Sequence, residues 1–134
     1  MECKSSKCCG WVDVRAHGAK GDGCCDDTDA IQGAIDALHP KGGTVCLPPG
    51  CYVVSAPITY TTSAHTGGVI ILGAGRYRTL IDNRVANDAA FRFTSSVGGK
   101  FQCGGLMANL SIITTTKPQM SHGIYLRGVW QMKF

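Results

Sequence analysis

Charge is scarce in this chain of 134 residues: Asp, Glu, Lys and Arg make up 16% of it, against about 25% in an average globular protein. Long apolar runs are missing as well. The longest, Val69-Ile70-Ile71-Leu72, has the length of a strand, far below the roughly 20 residues of a membrane-spanning helix, so no membrane insertion is expected. No basic stripe with interleaved aromatics is present. The 13 Lys and Arg outnumber the 9 Asp and Glu but are scattered, with only Arg76, Arg78 and Arg84 loosely grouped, which argues against a nucleic-acid partner. No apolar stretch follows the charges of Met1-Glu2-Cys3-Lys4-Ser5-Ser6-Lys7, so no secretory signal is read there. On that reading the 8 cysteines are expected to be free thiols acting as small buried hydrophobes. Neither Cys8-Cys9 nor Cys24-Cys25 has Cys-x-x-Cys spacing. A zinc site would have to borrow His17 or distant thiols, so no metal and no cofactor are expected.

Glycine, by contrast, is abundant, 18 residues or nearly twice the average share of roughly 7%. With 44% apolar residues, many of them Val and Ile, this describes one soluble globular domain rich in strands and tight turns. Residues 1–11 are polar and Cys-rich and are read as an arm or linker, with the domain over 12–134. Trp11 to Arg15 alternates like a short strand, and His17 to Gly23 is a glycine-punctuated loop. One helix is expected near 27–38. Asp26, Asp27 and Thr28 offer N-cap oxygens, while Ala30, Ile31, Ala34, Ile35 and Leu38 recur at helical spacing. His39-Pro40 ends it, because proline disfavours helical geometry in the residue before it.

Beyond Gly42-Gly43 the chain becomes a series of short apolar runs: 44–47, 52–54, 58–60, 69–72, 80–81, 91–93, 110–113 and 124–126. Turn residues separate them, without the Asn-Gly turns of a hairpin meander. A solenoid, whose coils each donate short strands to long parallel sheets, fits better, although from these residues alone a β-sandwich stands beside it. Val45, Ile70, Phe91, Leu110 and Tyr125, taken as successive anchors, give irregular steps of 25, 21, 19 and 15 residues.

Two segments carry a resemblance. The first is Val12-Asp13-Val14-Arg15-Ala16-His17-Gly18-Ala19-Lys20-Gly21-Asp22-Gly23 with Asp26-Asp27-Thr28-Asp29-Ala30-Ile31-Gln32 and Ala34-Ile35. The second is Gly42-Gly43-Thr44-Val45-Cys46-Leu47-Pro48-Pro49-Gly50-Cys51-Tyr52 with Pro57-Ile58. Together they resemble the opening motif of the pectate-lyase-like superfamily, which includes phage tailspikes, polygalacturonases and related glycan lyases. Departures fall at His17, Cys24-Cys25, Cys46 and Cys51. The resemblance implies an all-β solenoid, a right-handed parallel β-helix with an N-terminal capping α-helix that shields the lumen and the sheet edges of the first coil.

The densest carboxylate group is Asp22, Asp26, Asp27 and Asp29. Two of the first three could serve as an acid/base pair for glycoside cleavage, but cap preference also places Asp at these positions. In the enzymes of this superfamily the catalytic carboxylates lie on later coils. Tyr60, Arg76, Tyr77 and Trp130 are candidates for stacking on or clamping a sugar. Asn109-Leu110-Ser111 has the spacing of a glycosylation acceptor but falls within an expected strand. Val129 to Phe134 alternates like a strand and then ends, so the expectation is a fragment of a longer chain or a last coil covered by another subunit. The resemblance favours the β-helix module of a phage tailspike or tail fibre, structural and recognising host-surface polysaccharide, homotrimeric and virion-borne. The alternative is the non-catalytic N-terminal part of an extracellular polysaccharide lyase or glycoside hydrolase. In either case this chain alone is expected not to cleave.

Overall fold

The computed structural model describes residues 11–39, 41–62, 68–95, 105–116, 122–127 and 132–133. The elements run β1 (Trp11–Asp13), a 3-10 helix (Val14–His17), β2 (Asp22–Asp26), α1 (Thr28–Asp36), β3 (Gly43–Leu47), β4 (Gly50–Val54) and β5 (Ile58–Thr62). They continue with β6 (Val69–Gly73), β7 (Thr79–Asn83), β8 (Ala89–Ser95), β9 (Gly105–Ala108), β10 (Ser111–Ile113), β11 (His122–Arg127) and β12 (Met132–Lys133). Sheet A has the order β1-β3-β6-β9-β12, sheet B β10-β7-β4-β2 and sheet C β11-β8-β5. Every pairing between them is parallel. The chain is therefore a parallel β-helix, in which β3-β4-β5, β6-β7-β8 and β9-β10-β11 form successive coils of three short strands.

Alternation along each strand produces this wall. Side chains of a strand point to opposite faces in turn, so every second residue enters the lumen. Val45, Leu47, Tyr52, Val54, Ile58, Ile71, Ile81 and Phe91 do so and are almost wholly buried. Corners demand small residues. A Cβ on Gly73, at the end of β6, would run into the backbone carbonyl of Asn109 in the next coil. That carbonyl also accepts from Gly75 N at 2.8 Å, locking the two corners together.

The coil repeat differs from the anchor steps read in the sequence. Val45 pairs with Ile71 and Ile71 with Met107 in sheet A, while Ile58 pairs with Phe91 and Phe91 with Ile124 in sheet C. The spacing of partners thus ranges from 26 to 36 residues. The five chosen anchors had mixed two sheets and one corner residue. Other boundaries move too. Val14 and Arg15 leave β1 for the 3-10 helix, because Asp13 Oδ1 accepts from Arg15 N at 2.8 Å. Asp22 and Gly23, expected to end the loop, instead open a strand, Asp22–Asp26, paired irregularly with β4. Gly105, expected as turn, opens β9. Asn109 sits outside the strands with φ 59°, and β10 begins only at Ser111.

The helix spans Thr28–Asp36, two residues short of the expected end at 38. It follows β2 in the place where later coils carry their third strand. Ile31, Ala34 and Ile35 are fully buried, and the helix touches the 3-10 helix, β5 and β1. Gln32 completes that contact. Its Nε2 donates to Thr59 O at 2.9 Å and its Oε1 accepts from Thr59 N at 2.8 Å, so one side chain pairs with β5 as a neighbouring strand would. Among the described residues no helix is long and apolar enough to cross a membrane.

Candidate functional site

The outer face of sheet C gathers the residue types that hold carbohydrate. Ile58, Tyr60, Phe91 and Phe93 turn inward and are buried, so their neighbours Thr59, Thr61, Arg92 and Thr94 turn outward. Register then stacks them. Thr59 aligns with Arg92 and Arg92 with Tyr125, while Thr61 aligns with Thr94 and Thr94 with Arg127. Neighbouring strands lie about 4.8 Å apart, so each row advances along the solenoid by that step. The Arg92 guanidinium stands 5.0 Å from the centroid of the Tyr125 ring and is held on its other side by Asp88 Oδ2 at 2.9 Å. Thr61 and Thr94 hydroxyls meet at 3.1 Å. Tyr125 and Arg127 are exposed. A ring fixed against a guanidinium, three threonine hydroxyls and a further exposed guanidinium can stack on a sugar face and bond its oxygens.

None of these six was a site candidate in the sequence, where Tyr125 served only as an anchor of the apolar repeat. The signal lay in three alternating words at equal spacing: Ile58-Thr59-Tyr60-Thr61, Phe91-Arg92-Phe93-Thr94 and Ile124-Tyr125-Leu126-Arg127, each 33 residues after the last.

The structure disperses the candidates named from sequence. Tyr60 belongs to the core at 4% exposure, with its ring edge-on to His39, and offers no face to a sugar. Arg76 and Tyr77 lie at the corner between β6 and β7, where Tyr77 is 80% exposed and the Arg76 guanidinium is 5.4 Å from its ring centroid. Trp130 lies outside the described residues.

The aspartates are occupied with the backbone. Asp27 stands at the N-cap of α1 but makes no side-chain bond to the helix. Buried to 1% exposure, it accepts instead from Lys20 N at 2.8 Å and Gly21 N at 3.0 Å. Asp26 does the capping. Its Oδ1 accepts from Thr28 N at 3.0 Å and Thr28 Oγ1 at 2.5 Å, and its Oδ2 accepts from the Ser55 hydroxyl. Burial pushes the Asp26 carboxyl up, but the bonds from Ser55 and Thr28 outweigh it and leave the group below its ordinary value. Asp22 Oδ1 accepts from Cys25 N at 2.8 Å and Cys24 N at 2.9 Å, and these bonds, Cys25 first, lower its pKa to about 2. Asp29 is exposed in the first turn of α1.

On sheet B, buried Asp82 accepts from Thr115 N at 3.1 Å, Thr115 Oγ1 at 2.7 Å and Arg84 Nε at 2.9 Å. Burial raises this carboxyl, but the Thr115 and Arg84 bonds prevail and lower it. Asp22, Asp26 and Asp82 are thus held ionised rather than poised to exchange a proton near neutrality. Cys24, Cys25, Cys46 and Cys51 are free thiols. Among the described residues no group of three or more His, Cys, Asp or Glu is placed to hold a metal ion.

The family model described as rhamnogalacturonase A/epimerase, pectate lyase-like, matches residues 11–117. Alginate lyase 7 of Azotobacter vinelandii is 52% identical over 71 residues, covering 51% of this chain and 8% of that protein. Mannuronan C5-epimerase AlgE6 of the same bacterium is 43% identical over 91 residues, covering 66% of this chain and 10% of the relative. This chain therefore spans about a tenth or less of the length of these two curated relatives. Among solved structures, ORF18 of Geobacillus virus E2 superposes with a TM-score of 0.79 at 28% identity, over 91% of this chain and 24% of that one. The A-module of AlgE6 superposes with a TM-score of 0.64 at 34% identity, over 85% of this chain and 32% of that one.

Proposed function

The chain belongs to the rhamnogalacturonase A/epimerase, pectate lyase-like family, and from that premise we propose that it is a β-helix module binding a polysaccharide along the outer face of sheet C. The Arg92–Tyr125 stack, with Thr59 in its own row and Thr61, Thr94 and Arg127 in the next, carries this reading. Two relatives are named for acting on alginate or mannuronan, which makes a glycan the natural ligand class. The viral structural neighbour supports a spike or tail-fibre role, in which a virion-borne homotrimer recognises a host-surface polysaccharide. Sedimentation of the pure protein as a stable monomer would contradict the homotrimer.

The enzymatic reading, in which this chain is part of a lyase or epimerase, draws on the same relatives. Binding without cleavage is favoured because Asp22, Asp26 and Asp27 are engaged by backbone N–H groups. Titration with alginate oligosaccharides tests the reading. Tyr125→Ala is expected to weaken binding about tenfold, the worth of one stacked ring. No unsaturated or reducing ends should appear on prolonged incubation. Release of such ends by the pure chain would overturn the binding-only assignment.

A further inference from the structure

A second surface carries cationic side chains that the sheet C reading does not use. It runs along the corner between sheets A and B. Arg15 lies on the 3-10 helix of the first coil, and its NH2 donates to Pro49 O of the next coil at 3.1 Å. Beside Pro49, Gly50 N donates to Arg78 O of the following coil at 2.9 Å. In the coil after that, the Ser111 hydroxyl donates to Arg76 O. Arg76 and Arg78 thus share one turn of the third coil, with Tyr77 between them, and Arg15 stands on the first coil of the same corner and reaches the second; all three are exposed.

The ion pairs among the described residues are Arg84–Asp82 and Arg92–Asp88. Among the described residues no carboxylate pairs with the three corner arginines, and the nearest in sequence, Asp13, spends Oδ1 on the backbone N of Arg15. Arg78 lays its stem against Gly75, while Arg76 stands over the Tyr77 ring. Tyr77, at 80% exposure, covers nothing in the fold.

We propose that this corner is a separate binding ridge for an anionic polysaccharide, one bearing carboxylates or sulfates. Arg76 and Arg78 meet acid groups at one turn, Tyr77 stacks on a sugar between them, and Arg15 meets a further acid group along the solenoid axis. Guanidinium forks suit carboxylate and sulfate oxygens, and two coil steps of about 4.8 Å each separate Arg15 from the Arg76–Arg78 turn. The choice of a polysaccharide over another polyanion rests on the family reading above; the location rests on the corner alone.

The test is affinity electrophoresis and titration of the full chain against heparin, polygalacturonate, dextran and oligodeoxythymidine at several salt concentrations. Binding of heparin and polygalacturonate that weakens with salt, with none to dextran, is expected. The Arg76→Ala/Arg78→Ala double variant should bind both about tenfold more weakly with an unchanged melting temperature. Tyr77→Ala should weaken both as well, and by the same factor in a Tyr125→Ala background as in wild type, as independent sites require. Wild-type affinity in the double variant would overturn the ridge while leaving the sheet C reading intact. Equal or tighter binding of oligodeoxythymidine would overturn the assignment to polysaccharide. Loss confined to the sheet C variant Tyr125→Ala would move the anionic site to that face.

Discussion

Asp27 shows how a residue can hold an expected position and perform another task. Its place before the helix invites the reading of an N-cap, yet both carboxylate oxygens hold the loop at Lys20 and Gly21. An amide keeps one acceptor and turns a donor towards the other N–H. Asp27→Asn is therefore expected to cost about 1.5–3 kcal/mol in chemical denaturation, rather than the small change of a cap exchange. An Asn variant as stable as wild type would restore the cap reading.

Acid should act through the same group of aspartates. The Asp22 carboxyl is held at about 2 in the fold against an ordinary 3.8, and Asp26 and Asp82 are lowered as well. A lowered folded pKa contributes stability above the ordinary value that is lost as pH falls through the folded one. The stability gap between wild type and Asp22→Asn should thus be full at neutral pH and close between pH 3.8 and about 2. A gap unchanged across that window would contradict the assignment. That these aspartates cluster was legible in the sequence. Which backbone groups they hold was not, because a loop's path back to Asp27 leaves no periodic trace.

At the scale of elements, the sequence revealed what repeats within one element and concealed what depends on pairing. The helix was visible from Ile31, Ala34 and Ile35, whose spacing places them on one face. β2 was not, because its outward Asp22, Cys24 and Asp26 alternate with Gly23 and Cys25 and give no apolar signal. Its strand character comes from its neighbour β4. The helix contacts β1 and β5, the outermost strands of sheets A and C, and we propose that it closes that end of the lumen. Gln32 is the sharpest test. Its replacement by Ala removes two bonds to Thr59, each worth about 1 kcal/mol, and bares the edge of sheet C. Gln32→Ala should lower the melting temperature and promote self-association in light scattering; unchanged values in both would argue against an edge-closing helix.

For the whole molecule, glycine content and short apolar runs left a solenoid beside a sandwich, and the resemblance carried by residues 12–58 chose the solenoid; its period was not readable, since corner lengths vary from coil to coil. Only sheet C keeps a constant step of 33 residues over its two pairings, and that constancy aligns its outer rows. Coil stacking also depends on bare corners. Gly73→Ala would press a methyl into the Asn109 carbonyl, and an expected cost of about 3 kcal/mol should appear as a lowered denaturation midpoint. An alanine variant of wild-type stability would show that the corners can spread.

The most direct measurement of polysaccharide binding on sheet C is chemical-shift mapping of the labelled chain during titration with an alginate oligosaccharide. Perturbations should appear at Thr59, Thr61, Arg92, Thr94, Tyr125 and Arg127, as a set separate from those of the Arg76–Arg78 ridge. Shifts gathered instead around Asp22, Asp26 and Asp27, or an unperturbed spectrum at saturating sugar, would contradict the account.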